Sequence, residues 1–259
     1  MPRPAIYQHP EMDGSSFFWP KSDIAVLCLH GFTATTVDVR HIARTFLDHG
    51  FTVSGPLLPG HGTTPEEMNH TTWQDWYQTA EMAYLDLLQD HPTVFVLGES
   101  LGGLLALHLA AKYPDITGLM LLAPALIIRK LWLCKILFPF KEYIFKPYVV
   151  KKKSEDTMPW QGYNVLPLKA GASFYDFQQI VKKELKKVTA PAMVFQGRID
   201  TTIDPMSSFI VNKEIGSADK ELVWLPDSGH VILLDKQSSE VENACLELIQ
   251  RMLNRTAGE

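Results

Sequence analysis

A chain of 259 residues with 46% hydrophobic and 20% charged content has the make-up of one large globular domain. Its net charge of −5, with no basic stripe carrying interleaved aromatics, argues against nucleic acid as a partner. The three cysteines, Cys28, Cys134 and Cys245, are widely spaced and form no CxxC pair, which excludes a disulfide framework or zinc site and points to a reducing, cytoplasmic setting.

The opening stretch, MPRPAIYQHPEMDG, has no apolar h-region after its charge, so no secretory signal is expected. The first strong strand signal is IAVLCL at 24–29, which runs into His30-Gly31-Phe32. A helical stripe follows at Val39, Ile42, Ala43, Phe46 and Leu47, and Gly50 stops it. A second stripe runs through Trp73, Trp76, Tyr77, Ala80, Tyr84, Leu87 and Leu88. TVFVLG at 93–98 then leads into Gly98-Glu99-Ser100-Leu101-Gly102 and an Ala/Leu-rich helical pattern.

GLMLLA at 118–123, AMVFQG at 192–197 and ELVWL at 221–225 complete the strand signals. Their continuous apolarity suits strands buried on both faces. The last helix shows Val241, Ala244, Cys245, Leu248, Ile249 and Met252 on one face, with Ser239 and Glu242 in the capping-box relation at its start. Strands and helices in succession predict a mostly parallel central sheet with helices on both faces. From Ala125 to about Thr189 no buried strand is evident. That region reads as a small, mainly helical cap inserted into a single domain, whose core is about 1–124 and 190–259. The longest uncharged run near the middle, 116–128, is too short to span a bilayer.

The chemistry centres on G-x-S-x-G. Alone the pattern is a moderate signal, but Ser100 falls directly after a predicted strand and before a predicted helix, the context of a nucleophile elbow. A serine hydroxyl needs a base, normally a histidine oriented by a carboxylate. Of nine histidines only His230 lies beyond residue 108, on the loop after ELVWL. The loop after AMVFQG offers two acids, Asp200 and Asp204. Asp204 precedes Pro205 and a helical stretch, a ready N-cap, so Asp200 is the choice and Asp204 the alternative. Asp227 shares the loop of His230 and is poorly placed to face the imidazole. The oxyanion donors fall to the backbone N–H groups of Leu101, at a helix start, and Phe32, after the early strand. His30 reads as shaping that turn. HExxH, a Walker loop and an EF-hand loop are absent, and no metal is implied.

LCLHGFTATTVDVR, PLLPGHGTTPEEM, GESLGG, QGRID and DSGHVILLD together resemble the small bacterial carboxylesterases of the α/β-hydrolase superfamily, close relatives of the bacterial monoacylglycerol lipases. The likeness covers roughly 24–123 and 190–250 and fades in the cap. It implies an α/β-hydrolase fold, with Ser100 as nucleophile, Asp200 as orienting acid, His230 as general base, and the Phe32 and Leu101 amides as oxyanion donors. It also implies hydrolysis of small-molecule carboxylic esters of short to medium chain without metal or organic cofactor. A monoacylglycerol lipase is the alternative; an acyltransferase or amidase, or a hydrolase-fold binding protein without catalysis, are more distant ones.

The stretch ALIIRKLWLCKILFPFKEYIFKPYVVKKK at 125–153 holds eight Lys/Arg and one acid between Arg129 and Lys153. One reading is a helical cap that solvates its lysines. The sharper one is an acyl-binding lid in weak contact with anionic lipid. Trp132, Phe138 and Trp160 are its candidates for lining an acyl pocket.

Overall fold

The computed structural model describes residues 5–146 and 157–256. Two short strands open the chain, β1 (Tyr7–Gln8) and β2 (Phe17–Trp19), before the buried β3 (Ile24–Leu29). Then come α1 (Val37–Asp48), β4 (Thr52–Gly55), α2 (Pro65–Met68), α3 (Trp73–Asp90), β5 (Thr93–Glu99), α4 (Leu101–Lys112) and β6 (Gly118–Leu122). After β6 the chain leaves the main sheet. It forms α5 (Cys134–Leu137), β7 (Tyr143–Phe145), β8 (Gly162–Tyr163), β9 (Val165–Pro167) and α6 (Leu168–Glu184). It re-enters with β10 (Ala192–Gly197), α7 (Met206–Glu214), β11 (Lys220–Leu225) and α8 (Ser238–Thr256).

The main sheet has seven strands in the order β11-β10-β6-β5-β3-β4-β2, all parallel except β2, which runs antiparallel to β4. From β3 the chain steps outward to β4, then returns to the other side of β3 as β5. The switch point therefore lies between β3 and β5, where an open α/β sheet leaves a crevice at the carboxyl ends of its strands. Leu29 pairs with Gly98 there, so the Gly31-Phe32 turn and Ser100 leave adjacent strands side by side.

The predicted strands at 24–29, 93–98, 118–123, 192–197 and 221–225 are all present within a residue or so. The inner ones, β3, β5, β6 and β10, are buried almost throughout, which is why continuous apolar runs marked them. α1 and α8 cover one face, α3 and α4 the other. Cys28 and Cys245 are buried in the core between them. Among the described residues, no helix is long and apolar enough to cross a membrane.

Two local expectations need correction. The capping box at the last helix does not form: α8 begins at Ser238, so Ser239 lies inside it. Glu242 instead reaches across to α1, accepting from His41 Nδ1 at 2.6 Å and Thr45 Oγ1 at 2.9 Å. The inserted region also carries short strands, none of them in the main sheet. β7 pairs with β9, and β8 pairs with β1. Residues 147–153 of the basic, apolar stretch lie outside the described residues.

Candidate active site

β5 ends at Glu99 and α4 starts at Leu101, leaving Ser100 alone to turn the chain. It does so at φ 57 and ψ −110, a left-handed backbone that a residue with a Cβ adopts only when its surroundings hold it there. Close approach explains the flanking glycines. A Cβ on Gly98 would lie 2.2 Å from Gly102 O, and one on Gly102 would lie 2.0 Å from Leu29 O. The elbow is pinned to the neighbouring strand by the Ser100 N–H donating to Leu122 O at 2.8 Å, while Ser100 O accepts from Ala125 N at 3.1 Å.

His230 comes from the loop after β11. Its Nε2 stands 3.0 Å from Ser100 Oγ, and its Nδ1 stands 2.8 Å from Asp200 Oδ2. Asp200, on the loop after β10, is itself held: Oδ1 accepts the N–H groups of Thr202 and Ile203, and Gln196 donates to Oδ2. Burial works to raise its pKa. The hydrogen bond and charge of His230 and the two amides outweigh burial, and the carboxyl sits below its usual range. An ionised Asp200 fixes the proton of His230 on Nδ1, leaving Nε2 as the acceptor for the Ser100 hydroxyl. Asp204 lies elsewhere: its Oδ1 accepts the Met206 N–H at the start of α7, and its Oδ2 pairs with Arg129.

Phe32 and Leu101 flank Ser100 on the two sides of the switch point. Their backbone N–H groups have no hydrogen-bond partner among the described residues. That of Leu101 opens α4, where the helix dipole favours negative charge. His30 braces the turn before Phe32. Its Nε2 accepts the Leu58 N–H at 3.0 Å, so Nδ1 carries the proton and donates to Gly31 O at 2.9 Å. Burial lowers its pKa to about 4, against a smaller opposing effect of the Gly31 bond, so this imidazole stays neutral.

The arrangement thus brings together a hydroxyl, an imidazole that accepts from it, an ionised carboxylate and two unpaired amides. Such a set is suited to acyl transfer through a tetrahedral intermediate. Three neighbours of the site were not assigned to it from the sequence. The ring of Phe32 packs against Trp76 and Phe174, with centroids 5.5 and 4.9 Å away, and against His61. Phe174 belongs to the inserted α6, so that helix supplies part of the aromatic wall; its only sequence signal was an apolar stripe. Trp132 is 48% exposed, and Phe138 lines a separate cavity with Glu66, His70 and Lys169. Trp160 lies beneath Lys146 Nζ, 5.1 Å from it.

Comparison with known proteins gives a consistent result. The model of the family described as serine aminopeptidase, S33 matches residues 20–237. The chain is similar to the thermostable monoacylglycerol lipase of Bacillus sp. (strain H-257), 30% identical over 253 residues, which cover 94% of this chain and 98% of the relative. It is similar also to the carboxylesterase of Bacillus subtilis (strain 168), 30% identical over 239 residues, covering 91% and 96%. A solved structure reported with LipS and LipT, two metagenome-derived lipolytic enzymes, superposes with a TM-score of 0.86 at 30% identity, over 92% of this chain and 98% of that one.

Proposed function

The chain belongs to the serine aminopeptidase S33 family of α/β-hydrolases, and from that premise we propose a serine carboxylesterase in which Ser100, His230 and Asp200 form the catalytic triad. The enzyme hydrolyses carboxylic esters of small molecules, as its carboxylesterase and monoacylglycerol lipase relatives do by name. The observation that carries the residue assignment is the continuous relay from Ser100 Oγ to His230 Nε2 (3.0 Å) and from His230 Nδ1 to Asp200 Oδ2 (2.8 Å).

In the forward step Ser100 Oγ attacks the ester carbonyl while His230 Nε2 takes its proton. The oxygen that becomes negative is met by the N–H groups of Phe32 and Leu101. His230 then returns the proton to the departing alkoxide, which leaves as the alcohol, and the acyl group stays on Ser100. Water, deprotonated by His230, repeats the attack and releases the acid. Asp200 holds the imidazole tautomer and balances the imidazolium charge throughout.

The test is labelling with a fluorophosphonate in the wild type and in Ser100→Ala. The wild type takes up about one label per chain and the variant none, with turnover down by about 10⁴-fold or more. Labelling that survives in Ser100→Ala, or fails in the wild type, overturns the mechanism.

Short- to medium-chain simple esters are the preferred class, and monoacylglycerols are the second reading, favoured by the aromatic wall that α6 adds beside Phe32. A series of glyceryl and simple esters of rising acyl length separates the two through kcat/KM. Around α5 the inserted region exposes Trp132, Ile136 and Phe140 among Lys130, Lys135 and Lys141. This supports weak contact with anionic lipid, which co-sedimentation with anionic vesicles at low salt tests; absence of binding removes it. A reducing compartment such as the cytoplasm fits the buried thiols of Cys28, Cys134 and Cys245.

A further inference from the structure

Glu99 and Asp38 are buried acids for which the reaction above has no use. Glu99 immediately precedes Ser100, yet its side chain turns inward and only 1% of the residue is exposed. Its Oε1 accepts the N–H of Ile232 at 2.8 Å, and the Leu233 amide also donates to this carboxyl. Ile232 stands two residues after His230, so Glu99 clamps the loop of the base onto the elbow of the nucleophile. Asp38, 2% exposed in the first turn of α1, takes the N–H of Gly31, the residue before Phe32. A Cβ on Gly31 would lie 3.2 Å from Asp38 Oδ2 and 3.5 Å from Ser100 Cβ, so Gly31 stands between this carboxyl and the elbow with little room for a side chain of its own.

Each acid leaves one oxygen, Asp38 Oδ1 and Glu99 Oε2, buried without a partner among the described residues. The carboxyls lie within electrostatic reach of each other. Two ionised carboxylates there would repel across a buried interior. One retained proton removes that repulsion. We propose that Asp38 and Glu99, two buried acids packed beside the elbow, retain one proton in total and act together as positioning residues, holding the Phe32 turn and the His230 loop on either side of Ser100. This rests on the ester-hydrolase reading of the same site.

The surrounding groups fit one retained proton. Asp200 faces Glu99 from the β10 loop, and Lys146, at the end of β7, faces Asp38. His230 turns to Asp200, while burial keeps His30 and His61 neutral. Burial is the main cause that lifts Glu99 well above the carboxylate range, with repulsion from Asp38 next. Burial likewise raises Asp38 to about 7, against the Gly31 amide and the Lys146 charge. Lys146 is held down to about 8 by its own burial. The proton is therefore retained on the acid side and lost to solvent as pH rises, when the two carboxylates push the clamp apart.

The experiment is a pH profile of kcat and KM on a p-nitrophenyl ester, from about pH 5.5 to about pH 9.5, for wild type and variants. Glu99→Gln keeps an acceptor for Ile232 and removes the charge that would repel Asp38. Its kcat should stay within about threefold of wild type at neutral pH and lack the alkaline decline expected of the wild type. Glu99→Leu removes the clamp and should lower kcat by about 10- to 100-fold with KM little changed. In Lys146→Met the alkaline limb should move to higher pH, because the cation that favours the ionised pair is gone. A Glu99→Gln profile that keeps the wild-type limb, a Glu99→Leu kcat equal to wild type, or a limb that vanishes with Lys146→Met overturns the pair. Should Glu99→Leu fail to fold by circular dichroism, the Glu99→Gln profile decides. Fluorophosphonate labelling of the wild type keeps the two claims apart: no label sinks the esterase mechanism itself, whereas a labelled, active enzyme indifferent to Glu99 sinks only the pair.

Discussion

Asp200 and Asp204 stand on one loop and do unlike work. Asp200 receives Nδ1 of His230, while Asp204 starts α7 and pairs with Arg129. Asp200→Asn should therefore lower kcat by about 10²- to 10⁴-fold in a folded protein, because the imidazole loses both its tautomer and its counter-charge. Asp204→Ala should leave kcat near wild type and cost about 1 kcal/mol by chemical denaturation, the usual loss for an N-terminal cap. Equal kinetic losses in the two variants would undo the division. At the elbow, Gly102→Ala forces a Cβ against Leu29 O, where neither backbone can yield. We expect a loss of several kcal/mol or no soluble protein, read by thermal unfolding. Much of this was legible in the sequence, since serine, acid and histidine follow in order at predicted strand ends and the structural job of Asp204 could be argued from Pro205. Glu99 was not. It was an acid in an apolar run, and nothing in the chain order places Ile232 beside it.

A buried tether ties the inserted α6 to the elbow. Gln178 of α6 donates through Nε2 to Ala125 O at 2.6 Å, and the Ala125 N–H donates to Ser100 O. Gln178→Leu would strand a buried carbonyl, for a cost of about 1–3 kcal/mol, and loosen the chain that leaves the elbow. A fall in both Tm and kcat/KM is expected; unchanged values for both would remove the tether. Elements were legible in proportion to their burial. β3, β5, β6 and β10 announced themselves as uninterrupted apolar runs, whereas β4, with the sequence TVSG, carries too few apolar residues to stand out. The capping-box reading of α8 failed because Glu242 has a better use on another helix, a contact no local pattern encodes.

For the whole molecule, opposing titrations shape stability. Asp200 has a lowered folded pKa, so its contribution is present above the unfolded pKa and is lost as pH falls through the folded one. Asp38 and Glu99 are raised, so above the ordinary carboxylate range the native pair still holds a proton that the unfolded chain has released. Stability must then decline as pH rises, at about 1.4 kcal/mol per pH unit for each extra proton held, and level off once the proton is gone. Thermal unfolding from mildly acid to neutral pH should show that slope in the wild type and a shallower one in Glu99→Gln; parallel slopes would contradict it.

The pairing of β1 with β8 joins Tyr7 to Tyr163, and Gln161 Nε2 adds bonds to His9 O and Met12 O. During synthesis, the amino-terminal strand must wait until residue 163 has left the ribosome before it finds its partner. It spends that interval as an unpaired edge, which leaves it open to a chaperone or to a mispaired neighbour.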